Sequence, residues 1–157
     1  VQPDNLVGQK IKMARAPYQV LAIPYRFQSG ELLVAVFRRS NGNVWQFIAG
    51  GGEDCEDPLS AAKREASEEA GIRDGSWLAL DSKASIPRCH FKGSEHWHSD
   101  IFVIPEHSFA VAVEGDVLAI SWELEQYQWV PALVAPRILA FDSNRVALWE
   151  LTERLKK

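Results

Sequence analysis

The segment from Gly50 to Ile72 constrains this chain more than any other, because it carries a complete set of helix boundary signals. Asp57 is a side-chain cap, Pro58 suits a first turn that needs no N–H, and Gly71 can close the last turn in a left-handed conformation. Between them Leu59, Ala62, Ala66 and Ala70 recur at helical spacing, which predicts a helix with one apolar face laid on a core. Upstream, Val44 to Ile48 reads as a short strand ending at Gly50-Gly51-Gly52, where the backbone is expected to turn tightly.

The same helix carries Glu65, Glu68 and Glu69 at i, i+3 and i+4, so the three carboxylates stand on one side of it. They repel one another, and they lie in the last turns, where the helix dipole favours cations instead. Something cationic is expected to offset this. Hard oxygen ligands suit Mg²⁺ or Mn²⁺, which keep positions open for water and phosphate oxygens. A solvated acidic helix end is the ordinary alternative.

From Gly50 onward the residues fit G-x5-E-x7-R-E-U-x-E-E-x-G-U, U being aliphatic, at every specified position. With about 5–7% usage per specified residue, chance agreement in a chain of this length is on the order of 10⁻⁷ or less. The pattern is that of the Nudix hydrolases, and the chain resembles that family. The resemblance implies an α/β fold, the Nudix α/β/α sandwich with a mixed β-sheet, and Mg²⁺-dependent attack of water on phosphorus within a diphosphate linkage. It implies Glu65 and Glu69 as metal ligands, Glu68 as a third ligand or a base, and a carbonyl at Ala49 or Gly50 directed at metal and substrate. Gly50, Glu56, Arg64 and Gly71 are then structural, with Glu56 and Arg64 orienting loop and helix through an ion pair. One departure stands out: members often have glycine directly before the first glutamate, whereas this chain has Cys55, a strained choice if φ is positive there.

Further strands are expected at Gln19 to Tyr25 and Leu32 to Phe37, around a turn at Gln28-Ser29-Gly30, and at Trp77 to Ser85, Ser99 to Ile104 and Tyr127 to Val130. A last helix is expected from Asp142 or Ser143, as cap, through Leu155. No repeat or linker divides the chain, so one domain over residues 1–157 is expected.

Outside the box, Phe37-Arg38-Arg39, Trp45-Gln46, the E-x3-Y-x-W run from Glu123 to Trp129, and Asp142-Ser143-Asn144-Arg145 look most like the dihydroneopterin triphosphate pyrophosphatases. That branch also accepts deoxynucleoside triphosphates and releases pyrophosphate. The resemblance singles out Glu123 as an acid at the metal cluster and a possible general base, with Glu125 its confusable neighbour. Arg38 and Arg15 are expected to meet phosphate oxygens, and Asn144 to hydrogen-bond substrate or to cap the last helix. His96 and His98 would share a face on a strand but lack a third metal ligand, while Trp45 or Trp97 could stack on a pterin or purine.

Apolar residues make up 46% of the 157, enough for a core without disulfides, and Cys55 and Cys89 read as thiols. The formal charge of −4, from 17 Lys and Arg against 21 Asp and Glu, provides no global basic field for a polymeric nucleic acid. No apolar run approaches the ~18 residues of a membrane span, so a cytoplasmic enzyme acting on a small phosphorylated metabolite is expected, as monomer or homodimer. Two rival readings stand beside it. One is hydrolysis of ADP-ribose, dinucleoside polyphosphates or oxidised nucleotides, and the other is a non-catalytic nucleotide-binding domain, which the intact set of box glutamates disfavours.

Overall fold

The computed structural model describes residues 15–156. Within them the order is β1 (Arg15–Gln28), β2 (Glu31–Arg39), β3 (Trp45–Gln46), β4 (Ile48–Glu53), α1 (Pro58–Ala70), β5 (Ser76–Pro87), β6 (Val103–Ala112), β7 (Leu124–Pro131) and α2 (Asp142–Leu155). The strands form one mixed sheet along β3-β2-β1-β6-β5, with β4 also beside β1 and β7 beside β2. Only β1 and β6 run parallel, from Gln19 opposite Glu106 to Tyr25 opposite Ala112. Pro24 sits inside the central strand because β1 changes partner there, pairing β4 up to Ala22 and β2 from Tyr25.

Alternation along the strands divides the core into two layers. Val20 and Ala22 of β1, Ala35 and Phe37 of β2, and Phe109 and Val111 of β6 meet Ala61, Ala62, Ala66 and Ala70 of α1. Their neighbours Leu21, Ile23, Val34, Val36 and Ala110 meet Ala147, Leu148 and Leu151 of α2 on the other face. The result is the expected α/β/α sandwich. Alanines on α1 let that helix lie close to the sheet, which brings its carboxylates near the strand ends.

Three expectations are corrected. The strand placed at Ser99 to Ile104 is instead β6, which begins at Val103. Pro105 interrupts the sequence pattern but is tolerated, because the β1 ladder starts only at Glu106 and Pro105 pairs with β5 alone, opposite Ser85. The last helix has Phe141 at its cap with no side-chain capping bond, and Asp142 and Ser143 are already helical.

The triple glycine is not a turn. Gly50, Gly51 and Gly52 lie within β4, and the chain reverses after them, at Asp54 and Cys55. Their lack of a side chain makes room: a Cβ at Gly50 would stand 2.2 Å from Cδ of Glu65, one at Gly51 2.5 Å from Cζ of Arg15, and one at Gly52 2.0 Å from Cζ of Tyr18. Three different side chains are seated against one bare strand.

Candidate active site

The box loop is assembled around Arg64. Its Nε donates to Glu56 Oε2 at 2.8 Å and its Nη2 to Glu56 Oε1 at 3.0 Å, a two-pronged pair that holds the Glu56 carboxyl below its usual range. The same guanidinium donates to the Gly51 carbonyl at 2.8 Å, to Glu65 at 3.0 Å and to Glu68 at 3.3 Å. Glu56 also accepts the Glu53 N–H at 2.9 Å, and Tyr18 donates to the Glu56 carbonyl at 2.8 Å. Arg64 thus ties β4, the loop and α1 together. Within the loop Cys55 adopts φ of +69°, the left-handed conformation that glycine would take without strain.

Glu69 is the most deeply buried box carboxylate, 5% exposed, and burial pushes it up to about 8, with Arg39 opposing and Glu65 and Glu123 adding to the rise. Burial also raises Glu65, against the pull of Arg64, while Glu68 stays half-exposed. Glu69 Oε1 accepts from Arg39 Nη2 at 3.3 Å, and the same nitrogen donates to the Ala49 carbonyl at 3.0 Å. Glu69 Oε2 is buried with no hydrogen-bond partner among the described residues.

This donor set fits a divalent cation in chemistry: three clustered carboxylates, one with an orphaned buried oxygen, beside the Ala49 carbonyl. It is not a preformed cage. Among the described residues no three acidic, His or Cys side chains are already gathered around one point, because Arg64 and Arg39 hold the carboxylates in place.

Arg39 was not singled out in the sequence, where Arg38 carried the phosphate role. Adjacent strand residues point to opposite faces. Arg39 shares the face of Phe37 and reaches the box, whereas Arg38 lies over the Trp45 ring at 5.7 Å and pairs with Glu125 at 3.1 Å. The two acids part as well, because Glu123 lies on the connection just before β7 while Glu125 lies within the strand and pairs with Arg38. Glu123 faces Arg39, its Oε2 3.9 Å from Nη1, and influences both Glu65 and Glu69, while Glu125 turns away.

Backbone bonds deliver Glu123. The connection from β6 to β7 closes the C-terminus of α1, with Ser121 N–H donating to the Glu69 carbonyl at 3.0 Å and Ala119 N–H to the Ala70 carbonyl at 3.1 Å. The Ser40 N–H then donates to the Glu123 carbonyl at 3.1 Å, and Ser40 Oγ to the Trp122 carbonyl at 2.9 Å. Gly71, at φ of +68°, completes the helix end as expected.

On the α2 side of the sheet a cavity of about 520 Å³ adjoins Ala49 and Gly50 and is lined by Arg15, Gln19, Arg39, Gln46, Phe91, Glu106, Ser143 and Asn144 among others. Arg15 is half-buried, lies 4.6 Å from the Phe91 ring centre and donates to Gln19 Oε1 at 3.1 Å. Asn144 lines the wall, but its Oδ1 accepts the Phe47 N–H at 2.9 Å, so it also fastens α2 to the strands. Trp97 is buried and donates to the Arg15 carbonyl at 2.7 Å, while His96 and His98 are exposed on a short turn and loop. A larger hollow of about 770 Å³, between Gly71–Ser76 and Ala112–Leu118, contains no box glutamate.

Comparison with known proteins agrees with this geometry. The NUDIX domain model matches residues 16–149. A protein of Rhodopseudomonas palustris (strain BisB18) named RNA pyrophosphohydrolase is 30% identical over 73% of this chain and 81% of its own length. A Listeria monocytogenes structure assigned to the NUDIX hydrolases superposes with a TM-score of 0.80 at 39% identity, covering 89% of this chain and 94% of that one. The fold is also that of the Escherichia coli dihydroneopterin triphosphate pyrophosphohydrolase, with a TM-score of 0.73 at 21% identity over 91% and 99% of the two chains. Among the described residues no helix is long and apolar enough to cross a membrane. The chain belongs to the Nudix family, as a pyrophosphohydrolase acting on pyrophosphate bonds.

Proposed function

We propose that the chain hydrolyses a nucleoside or pterin triphosphate to a monophosphate and pyrophosphate, with Mg²⁺ or Mn²⁺ as cofactor. The observation that carries this reading is the cavity of about 520 Å³ beside the box, a size suited to one heterocycle with its attached chain or sugar. Arg15 and Arg39 line it next to Ala49 and Gly50, where guanidinium groups suit a row of phosphate oxygens.

Glu65, Glu69 and the Ala49 carbonyl are the groups that would hold the metal, with Glu68 and Glu123 at its margin. Bound there, the ion would polarise the phosphate and make water more acidic. The remaining work belongs to side chains of the chain itself. A carboxylate oxygen of Glu123 or Glu68 takes the proton of the attacking water, Arg39 meets phosphate oxygens in the role first given to Arg38, and Arg64 keeps loop and helix in register. Asn144 shapes the cavity by holding α2 in place.

The name of the Rhodopseudomonas relative supports a second reading, removal of pyrophosphate from the 5′-triphosphate end of RNA. The same linkage would be cut, and only the first nucleotides would need to be held, so a net negative chain does not exclude it. The test is a product-resolved panel with Mg²⁺: dihydroneopterin triphosphate, the four deoxynucleoside triphosphates, ADP-ribose, diadenosine tetraphosphate and a 5′-triphosphorylated RNA oligonucleotide. Fastest turnover of a free triphosphate, with pyrophosphate released, is expected. Preference for the RNA end selects the second reading, and release of orthophosphate leaving a diphosphate overturns both.

A further inference from the structure

We infer that Glu106 selects the heterocycle, its carboxylate accepting from the adjacent ring N–H and exocyclic amino group that guanine and pterins share, a 2-amino-4-oxopyrimidine edge. The inference rests on reading the 520 Å³ cavity as the seat of the substrate's ring.

Glu106 is 3% exposed, lies on β6 opposite Gln19 of β1, and lines that cavity. Its Oε2 accepts from Gln19 Nε2 at 2.9 Å, while Oε1 has no hydrogen-bond partner among the described residues. A buried carboxylate with unused acceptor capacity is costly, and an apolar residue would serve the sheet better. The Gln19 amide is fixed in this orientation, its Oε1 accepting from Arg15 while its Nε2 is already engaged by Glu106 Oε2. The chain from Arg15 through Gln19 to Glu106 therefore fixes the carboxylate in the cavity wall, with one oxygen shared with Gln19 and the other unpartnered among the described residues. Phe91, beside Trp97 at a ring distance of 6.0 Å, adds an aromatic ring to the same cavity.

Carboxylate oxygens accept, so the complementary edge must donate. Guanine and pterin offer a ring N–H next to an amino group. Adenine and cytosine set an amino group beside a ring nitrogen that is itself an acceptor, and thymine sets its single N–H between two carbonyls.

Calorimetric titration of the full chain with dGMP, dIMP, dAMP and neopterin monophosphate reads ring recognition without turnover; dIMP is dGMP lacking the 2-amino group. The wild type is expected to bind dIMP and dAMP about tenfold or more weaker than dGMP, since a site built to pair a donor rejects the analogue without it. Glu106→Gln, nearly isosteric, should bring dGMP to within about threefold of dIMP. Tighter binding of dGMP or of neopterin monophosphate tells which source the site takes. Equal wild-type affinity for dGMP and dIMP, binding of none of the four, or discrimination kept in the variant overturns the inference. If the variant does not fold, the wild-type dGMP to dIMP ratio decides alone. A chain that hydrolyses triphosphates without base preference keeps the proposed function and loses this selector. One that binds dGMP selectively but hydrolyses no triphosphate does the reverse.

Discussion

Replacing Glu69 by glutamine is expected to stabilise the metal-free chain and nearly abolish its activity. Burial lifts this carboxyl from the usual 4.5 to about 8. At pH 7 the unfolded chain carries it ionised and the folded chain carries it protonated, so folding takes up a proton at a linkage cost of about 3 kcal/mol. Because the folded value is the higher one, the cost is absent below pH 4.5, grows as pH rises, and levels off beyond about 8. Glutamine is neutral throughout and removes it. Its amide nitrogen can fall where Oε2 now lacks a partner, which gives back about 1–2 kcal/mol. At pH 8 the cost has grown to about 4 kcal/mol, so the net gain is about 2–3 kcal/mol, or a rise in Tm of about 6–9 °C for a chain of this size, and close to nothing at pH 5. Melting curves of both proteins in chelator at the two pH values measure it. Saturating Mg²⁺ should raise the wild type more than the variant, and kcat should fall by about 100-fold or more. A variant that melts below the wild type by the same margin at pH 5 and pH 8 would refute the reasoning.

Cys55→Gly should relieve the left-handed strain at φ of +69°, for a net gain of about 0.5–1 kcal/mol after the extra freedom of the unfolded glycine, or about 1–3 °C in Tm; an unchanged or lower Tm shows that the cysteine is not strained. Glu123→Gln should lower kcat by about tenfold or more with a smaller change in KM, because a group that orients water acts chiefly in the transition state; a change in KM alone contradicts that role. Glu150 should stabilise the attachment of α2 to β5. Burial opposes its ionisation, but bonds from the Ser82 hydroxyl, the Asp81 and Ser82 N–H groups and Arg154 outweigh burial and hold it at about 2. Its contribution is therefore full above pH 4.5 and lost as pH falls towards 2, so Glu150→Gln should cost about 1–2 kcal/mol at pH 7 and less near pH 3 in denaturant melts.

Helix α1 was legible from residues alone because its signals are local: a capping Asp57, Pro58 in the first turn, Gly71 at the end, and carboxylates spaced to share a face. Residue patterns do not encode which face of the sheet a strand residue takes. Arg38 and Arg39 are equally good phosphate candidates in sequence, and only the register of β2 against β7, with its irregularity between these two residues, sends Arg39 to the box. Glu106 was hidden because Pro105 and the polar run Glu106-His107-Ser108 obscure a strand whose inner face is not wholly apolar. The triple glycine was read for flexibility, whereas its role is space, which depends on three side chains from elsewhere in the chain. Glu123 was reached through resemblance, and its delivery depends on backbone bonds to the end of α1 that no side-chain pattern encodes.

Those bonds divide the β6–β7 connection into two stretches with different tolerance for length. Glu114 to Val117 is exposed, and Gly115, at φ of +78°, has open space where a side chain would stand. Residues inserted between Glu114 and Gly115 leave the bond from Trp129 Nε1 to the Asp116 carbonyl in place and add a closure entropy that grows slowly with loop length, and the anchors at Ala119, Ser121 and Glu123 stay where they are. A single residue inserted between Ser121 and Glu123 would break the spacing between the bond to α1 and the bond to Ser40, and would carry the carboxylate away from Arg39. Relatives of this chain can therefore vary the outer half of this loop, or graft a peptide onto it, while the inner half keeps the acid in position.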